Sequence, residues 1–290
     1  PSKTGDSFGW AVAMDGSGML VASLQRDNAG SGKLSHYQKN PDDTWSYVSS
    51  FASDDNQSGD EFGHDLDLSG NYVIVGAPMA DAGGNNFGTA YIFELNGSSW
   101  GQVEKLQPAG LSVDDKFGYS VALSGNLAFV GAVNGDSSVS NTGCVYVFEK
   151  TLSGWAEVAK IDPPSLDSDQ LFASNLEVHD DLLMVGAPQQ GEDGFGYIYR
   201  ADGNSSSWKL ISALDCKAVS STNKDFTFLS LSDGMAVVGS PGDSSQESFG
   251  GGVLVFYNDA WKSLSLPDLP PIIDGNSTPV VHFTEVEDQN

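Results

Sequence analysis

Residues 60–78 read DEFGHDLDLSGNYVIVGAP, and this stretch, from Asp60 to Pro78, decides the fold of the chain. It opens on a Phe-Gly pair, turns at Ser-Gly-Asn and closes on a short apolar run that ends in Gly-Ala-Pro. Short runs that are rich in Val and Ile and bounded by Gly, Asn or Pro are typical of β-strands. The stretch therefore predicts two strands joined by a tight turn.

This pattern recurs along the chain. The Phe-Gly pair is found at Phe8, Phe62 and Phe117, and degraded forms follow at Phe172 and Phe226. Each repeat continues with an apolar run, at residues 20–23, 73–78, 129–133, 184–188 and 237–241. A third run follows at residues 33–37, 89–93, 144–148, 196–199 and 253–257, and a fourth begins at Trp45, Trp100, Trp155, Trp208 or Trp261. Four short strands repeated five times are typical of propeller blades.

We therefore predict an all-β fold, a β-propeller of five four-stranded blades with an extra C-terminal strand. Stacked sandwiches would satisfy the strand count, but regular recurrence favours radial repetition, because neighbouring blades must cover both apolar faces of each sheet. The recurring Phe and Trp side chains are expected to pack the blades. The predicted propeller spans residues 1–266, with repeats at about 6–59, 60–114, 115–168, 169–223 and 224–266, and residues 267–290 form a Pro-rich linker and strand.

The repeat resembles a known family. Phe-Gly, then Val-Gly-Ala-Pro, then Gly-x-x-Tyr-x-Phe is similar to the FG-GAP repeat of integrin α-subunit propellers, over residues 6 to about 266. The resemblance implies a propeller, usually of seven blades, that works in extracellular recognition or adhesion. Five repeats are a departure, so either the propeller is smaller or an assembly supplies the rest.

The net charge of the chain and its N-glycosylation sequons indicate which partners and which cellular location to expect. With 13 Lys and Arg against 39 Asp and Glu, the formal charge of -26 would repel nucleic acid and anionic membranes. No apolar stretch approaches the roughly 20 residues that span a bilayer, so we expect no membrane insertion. Four N-glycosylation sequons lie in polar, loop-like stretches, at Asn56, Asn96, Asn204 and Asn276. We expect an extracellular or cell-surface glycoprotein.

The two cysteines leave two interpretations open. Cys144 and Cys216 are too few for a disulfide framework, but they suffice for one bridge in an oxidising compartment. The alternative is a pair of ordinary buried thiols.

Calcium is the one cofactor that the resemblance implies. Family members often bind it in the loop between the first two strands, but here those loops are too short to supply the roughly 6 to 8 oxygens that calcium needs. A different loop has alternating oxygens that resemble a calcium site, at Asp54, Asn56, Ser58 and Asp60. The alternative for this loop is a solvated acidic turn.

Loops on one face of the predicted propeller are rich in acidic residues. Strand direction alternates within a blade, so the loops between strands two and three emerge on the same face as the loops between blades. We predict that this face binds an extracellular protein or glycan through Asp81, Asp136, Asp193 and Asp243, because loops on a rigid scaffold often carry function. The alternative is that these residues are merely polar turns.

Two further functions fit parts of the sequence. A polysaccharide hydrolase would place an acid and a base around the channel, where the candidates are His64, Asp65, Asp67 and Glu177. Asp65 and Asp67 lie on the same side of a strand and look more like a channel wall, so we expect that the protein is not an enzyme. A lectin would stack sugars on loop aromatics, found at Phe87, Phe195 and Phe249, although strand-entry packing explains these equally simply.

The C-terminal tail suggests self-assembly. Residues 278–286 alternate like a strand that has no hairpin partner in sequence, and a donated strand of this kind joins subunits in fibres. The resulting prediction is a binding or adhesion module that also serves in a surface coat or filament.

Overall fold

A computed structural model describes residues 6–24, 31–80, 86–137, 139–165, 171–188, 194–215, 228–232, 234–240, 252–258 and 261. No α-helix occurs in these residues, and nineteen β-strands form all the regular sheet structure. The predicted all-β class is confirmed.

The strands form five successive antiparallel sheets, and each sheet is one blade whose strands pair in chain order. Blade 1 contains β1 (Phe8–Asp15), β2 (Gly18–Ser23), β3 (Lys33–Lys39) and β4 (Trp45–Phe51). Blade 2 contains β5 (Leu66–Ser69), β6 (Tyr72–Ala77), β7 (Thr89–Asn96) and β8 (Ser99–Leu106). Blade 3 contains β9 (Phe117–Ser124), β10 (Leu127–Ala132), β11 (Cys144–Thr151) and β12 (Gly154–Ile161). Blade 4 contains β13 (Leu176–His179), β14 (Leu182–Ala187), β15 (Phe195–Ala201) and β16 (Trp208–Asp215), and blade 5 contains β17 (Phe228–Ser232), β18 (Met235–Ser240) and β19 (Gly252–Tyr257).

The blades are arranged as a propeller. The first strand of each blade packs beside the first strand of the next, from β1 through β5, β9 and β13 to β17, so these inner strands line a central channel. The predicted five-bladed propeller is therefore confirmed. Trp261, where the fourth strand of blade 5 is predicted to begin, is buried in the core cluster between blades 4 and 5, and residues 262–266 lie outside the described residues. The predicted C-terminal strand and self-assembly segment, residues 278–286, also lies outside them.

Each blade has two apolar faces, and four core clusters join successive blades. We call the face that packs on the preceding blade the front face, and the opposite face the back face. Between blades 1 and 2, Leu20 and Leu34 on the back face pack with Phe62, Val75 and other residues of the front face. The same arrangement recurs between blades 2 and 3, 3 and 4, and 4 and 5. The predicted packing role is thus observed at Phe62, Phe117 and Phe172, whereas Phe8 is exposed and Phe226 lies outside the described residues.

The phenylalanine of the Phe-Gly pair packs on the third strand of its own blade. The Phe62 ring meets the Phe93 ring edge to face at 5.9 Å, and the Phe117 ring meets the Phe148 ring at 6.1 Å. Edge-to-face ring pairs at this separation contribute to stability beyond their buried area. This contact explains why Phe-Gly and Tyr-x-Phe occur in the same repeat.

Glycine before the third strand allows close approach of the next blade. A Cβ on Gly88 would lie 2.1 Å from the Phe117 carbonyl oxygen, and a Cβ on Gly143 would lie 2.1 Å from the Phe172 carbonyl oxygen. Both glycines also have positive φ, which a side chain disfavours. The Gly-rich loops are therefore part of the interface between blades.

The disulfide prediction is corrected at Cys144, which is a free thiol. Its side chain is enclosed in the core between blades 2 and 3, where burial raises the pKa of the thiol to about 12. The alternative of an ordinary buried thiol therefore holds for this residue. Cys216 lies outside the described residues.

Candidate functional site

Three aromatic side chains stand at the start of the inner strands. Trp10, His64 and Tyr119 each come two residues after the phenylalanine of a Phe-Gly pair, so they hold the same position in blades 1, 2 and 3. The Trp10 and His64 ring centroids are 6.1 Å apart, and those of His64 and Tyr119 are 4.6 Å apart. Trp10 is exposed. We call these three residues the aromatic row.

Two side chains of the aromatic row also form hydrogen bonds with backbone carbonyl oxygens of the next blade. Trp10 Nε1 donates a hydrogen bond to the His64 carbonyl oxygen at 2.9 Å. His64 Nδ1 lies 2.9 Å from the Tyr119 carbonyl oxygen, so this nitrogen carries the proton of the bond. The Trp10 and His64 rings are thus each held by a hydrogen bond to the next blade.

Two carboxylates of blade 2 bind the inner strand of blade 3. Asp65 accepts hydrogen bonds from the Val121 amide at 2.8 Å and the Leu66 amide at 2.9 Å. Asp67 accepts from the Leu123 amide at 2.7 Å, and also from the amide of the residue that follows it in sequence. β9 presents these amides at the edge of its sheet, where they have no strand partner. The two carboxylates therefore satisfy an otherwise unpaired strand edge.

Glu177 on β13 is the third acid of this region, and it differs from the other two. Its side chain is half-buried, and among the described residues its carboxyl group has no hydrogen-bond partner. Burial, together with the charges of Asp67 and Asp65, raises the pKa of the Glu177 carboxyl to about 7. Glu177 is thus the acid in this group whose carboxyl is not already engaged by a hydrogen bond within the described part of the chain.

Burial also acts on the two aspartates. Burial, with a smaller contribution from the Asp67 charge, raises the pKa of Asp65 to about 7 against the opposing effect of the Val121 and Leu66 amides. Burial likewise raises the pKa of Asp67. Acids that raise one another's pKa do not all ionise together near neutral pH, so this group holds a proton there. Such a group can serve as a general acid or base.

The sequence predicted only part of the arrangement of these acids. Asp65 and Asp67 do lie on one side of their strand, but they bind backbone amides of blade 3 rather than forming a solvated wall. The electrostatic proximity of Glu177, two blades away in sequence, was not visible in the residue spacing. The aromatic row was missed too, although an aromatic or His residue two positions after Phe8, Phe62 and Phe117 was a readable signal.

The predicted acidic binding face is described at one of its four residues. Asp136 is half-buried, and its carboxylate accepts a hydrogen bond from the Asn141 amide at 3.0 Å. Its carbonyl oxygen accepts one from Lys160 at 2.6 Å. Asp81, Asp193 and Asp243 lie outside the described residues, so the binding face stays a prediction.

The loop predicted to bind calcium has two of its four side chains bonded within the protein. Asn56 donates to the Gly32 carbonyl oxygen at 2.6 Å, and Asp60 accepts from the Gln57 amide at 2.8 Å. Asp54 and Ser58 are exposed. Within the described part of the chain, no group of three or more His, Cys, Asp or Glu side chains is placed to hold a metal ion. The calcium site therefore stays a prediction.

The acidic residue two positions before the Phe-Gly phenylalanine has a structural role that the sequence did not indicate. Asp115 accepts a hydrogen bond from the Ser112 amide at 2.8 Å, as Asp60 does from Gln57 in the preceding repeat. Both aspartates are buried. They close the turn that leads into each inner strand.

The predicted glycosylation sites differ in access. Asn96 and Asn204 are exposed and lie at the turns between the third and fourth strands of blades 2 and 4. Asn56 is half-buried, and its side-chain nitrogen is engaged by Gly32. Asn276 lies outside the described residues.

The loop aromatics are described at two of three positions. Phe195 stacks on Tyr197 of its own strand, with ring centroids 5.9 Å apart, which favours the strand-entry packing over a sugar platform. Phe87 is half-buried, and its carbonyl oxygen accepts a hydrogen bond from the Phe117 amide. Phe249 lies outside the described residues.

Comparison by sequence finds one family. A sequence model of the FG-GAP repeat matches residues 2–37, 45–93 and 100–148, which fall in blades 1, 2 and 3. No curated protein matches the chain. No helix among the described residues is long and apolar enough to cross a membrane.

Comparison by structure finds propellers named as lactonases. A candidate 6-phosphogluconolactonase of Bacteroides uniformis ATCC 8492 superposes with a TM-score of 0.60 at 11% identity, over 94% of this chain and 70% of that one. The periplasmic gluconolactonase PpgL of Pseudomonas aeruginosa superposes with a TM-score of 0.50 at 13% identity, over 87% of this chain and 82% of that one. At these identities the likeness establishes the fold alone.

The expectation that the protein is not an enzyme is contradicted by these neighbours. Both proteins carry the names of enzymes, so membership of this fold gives no ground for excluding catalysis. The sequence argument included Glu177 among the candidates, but it could not show that the charges of Asp65 and Asp67 reach this residue and raise its pKa. The chain is a five-bladed β-propeller, and a sequence model of the FG-GAP repeat matches it within blades 1, 2 and 3.

Proposed function

We propose that the protein hydrolyses a neutral sugar lactone at the central channel, with Glu177 as the group that transfers the proton. The observation that carries this proposal is the Glu177 carboxyl, which has no hydrogen-bond partner among the described residues and a pKa raised to about 7. A general base is most effective when its pKa lies near the working pH. Asp65 and Asp67, already bonded to blade 3, tune Glu177 by their charge.

Ring opening of a lactone needs one proton to be moved twice. Ionised Glu177 takes a proton from the water that attacks the lactone carbonyl. The tetrahedral intermediate then expels the ring oxygen, which receives that proton from Glu177. Lactone and water thus give the open hydroxy acid, and the carboxylate is regenerated.

The surroundings favour an uncharged sugar. The aromatic row, and exposed Trp10 above all, offers faces on which a sugar ring can stack. The formal charge of -26 and the three acids of the channel disfavour a phosphorylated substrate. In this respect the proposed substrate matches the name of the periplasmic neighbour rather than that of the 6-phosphogluconolactonase.

The test is an assay of the purified chain against gluconolactone and its 6-phosphate, each corrected for uncatalysed hydrolysis. We expect turnover of the neutral lactone, rising with pH through about 7 as Glu177 loses its proton. Glu177→Gln should lower kcat by roughly 10²-fold or more. The matched control is Glu157→Gln, which changes an exposed glutamate of β12. Absence of turnover, or a Glu177→Gln variant as active as the parent, would refute the proposal.

Extracellular recognition is a second candidate function, and the FG-GAP match to blades 1, 2 and 3 favours it. Alanine at Asp81, Asp136, Asp193 and Asp243 together should then abolish binding to a glycan array or to cell surfaces. Turnover of lactone by this fourfold variant should be unchanged, because Glu177 and its two neighbours are intact. Retained binding by the variant would count against recognition through these residues.

We propose an extracellular location for the protein with either candidate function. We expect mass spectrometry of the natively produced protein to find glycans at Asn96 and Asn204, which are exposed, and none at half-buried Asn56. Unmodified Asn96 and Asn204 would argue against passage through a glycosylating compartment.

A further inference from the structure

The front face of blade 1 is exposed, although it repeats the pattern that later blades bury. Phe8 is 48% exposed and Val12 is 51% exposed. The corresponding residues of blade 2, Phe62 and Leu66, are buried against blade 1. The face also contains a groove of about 460 Å³, lined by Asp6, Phe8, Ser23, Lys33, Ser35, Tyr37, Tyr47 and Ser50.

The back face of blade 5 is exposed in the same way. Phe228 is 67% exposed and Val253 is 48% exposed. Met235 and Val237 of β18 are only half-buried, whereas the blade 4 residues at their positions are fully buried against blade 5. Those blade 4 residues are Leu182 and Met184.

The two exposed faces belong to opposite ends of the series of blades. Extensive strand packing joins each blade to the next one in sequence, and the described strands of blade 5 pack on blade 4 and not extensively on blade 1. In the part of the chain that the structure describes, the propeller is thus an open series with one free front face and one free back face.

We propose that a second copy of this chain covers these faces, with the back face of blade 5 in one copy packed on the front face of blade 1 in the next. The chain already builds this type of interface four times, between each pair of successive blades. The proposed contact continues the same series between molecules. It is independent of any catalytic part played by Glu177.

The internal interfaces identify the contacts. In the first of them, Leu20 and Leu34 of the back face pack with Phe62 and Phe93. By strand register, Val237 and Val253 hold the positions of Leu20 and Leu34 in blade 5. Phe8 and Tyr37 hold the positions of Phe62 and Phe93 in blade 1. Val237 and Val253 of one copy should therefore meet Phe8 and Tyr37 of the next.

Charge and symmetry determine how the association behaves. Each copy carries a formal charge of -26, so repulsion opposes association until salt screens it, over a length of about 10 Å at 0.1 M. A front face that binds a back face is a head-to-tail contact, which produces a ring when the rotation closes and a filament when it does not. We therefore expect assemblies that grow with protein concentration and with salt.

The test uses one blocking substitution at each end. Val12→Glu blocks the front face and Val253→Glu blocks the back face, both at residues already exposed in a single copy. Sedimentation velocity at moderate salt should show growing assemblies for the parent chain and a monomer for each variant alone. An equal mixture of the two variants should form dimers and nothing larger, because one free front face and one free back face remain.

The mixture also controls for misfolding of the variants, since dimers form only if each variant keeps its unblocked face intact. The control is Val103→Glu, which changes a 45% exposed valine on β8, away from both faces, and should assemble like the parent. A parent chain that stays monomeric at high concentration and salt would overturn the proposal. So would variants that assemble alone, or a mixture that yields no dimer while the parent assembles.

Discussion

The Asp67 carboxylate accepts a hydrogen bond from the Leu123 amide at 2.7 Å, across the boundary between two blades. Asp65 makes the same kind of bond to Val121 two residues earlier. A carboxyl group of blade 2 thus stands where a strand partner of blade 3 would otherwise be needed. The same placement removes these carboxyl groups from water and makes stability depend on pH.

Replacing Asp65 by Asn should flatten the dependence of stability on pH. The folded Asp65 has a pKa of about 7, above the unfolded value near 4, so between these values the folded chain binds more protons than the unfolded chain. Stability from this group is therefore greatest in acid and is lost as pH rises through about 7. Denaturant midpoints at pH 5 and pH 8 should differ less for Asp65→Asn than for the parent.

Asp15→Asn is the matched control for this measurement. Asp15 is exposed and accepts a bond from the Gly70 amide of blade 2 at 2.7 Å, so it shares the bond between blades but not the buried surroundings. The control should keep the pH slope of the parent, because Asp65 is still present. An unchanged slope in Asp65→Asn would refute the assignment.

Adding one methyl group at Gly76 should destabilise the propeller by about 2–3 kcal/mol. A Cβ there would lie 2.0 Å from the Gly118 carbonyl oxygen of blade 3, and backbone must shift to admit it. Gly101→Ala is the control, since a Cβ at Gly101 meets nothing within 4 Å. Thermal unfolding of the two variants measures the difference, and equal melting temperatures would contradict the close approach.

Cys144 should resist thiol reagents in the folded protein. Burial raises the pKa of its thiol to about 12, and the thiolate is the reactive form. In a Cys216→Ser background at pH 8, labelling of Cys144 should proceed at the rate of unfolding and become immediate in denaturant. Fast labelling under native conditions would show that blades 2 and 3 separate more readily than their packing implies.

Replacing Asp60 by Ala should destabilise the chain to the same extent with calcium and with a chelator. The Asp60 carboxylate closes its turn by accepting from the Gln57 amide, and losing such a buried bond costs about 1–3 kcal/mol. Exposed Asp54 is the comparison, and Asp54→Ala should have little effect in either buffer. If both variants lose a stabilisation seen only in calcium, the loop is a calcium site, as its sequence pattern suggested.

The fold was predictable because the residue pattern of each repeat indicates its own strands. Val73 to Ala77 and Tyr91 to Phe93 have the residue types of strands, and the 55 residues from Phe62 to Phe117 define the period. The packing of Phe62 followed from repetition too, since neighbouring sheets must cover one another's apolar faces. These inferences need only local pattern and recurrence.

The site was less predictable, because it depends on contacts between blades. Nothing local to Asp67 indicates that Leu123 will donate to it, and nothing local to Glu177 indicates that the charge of Asp67 reaches it. The exposure of Phe8 was hidden for a related reason. Its sequence context matches that of buried Phe62, so the local pattern could not distinguish the two residues.

The ring pair within each blade has a consequence for how the chain folds. Phe62 packs on Phe93, and Phe117 on Phe148, so each inner strand is anchored to its own sheet by residues about 30 positions away. Contacts of such short range close small loops, which form early because they lose little chain entropy. Each blade can therefore fold as the chain is synthesised, and its back face is then available for the next blade to pack on.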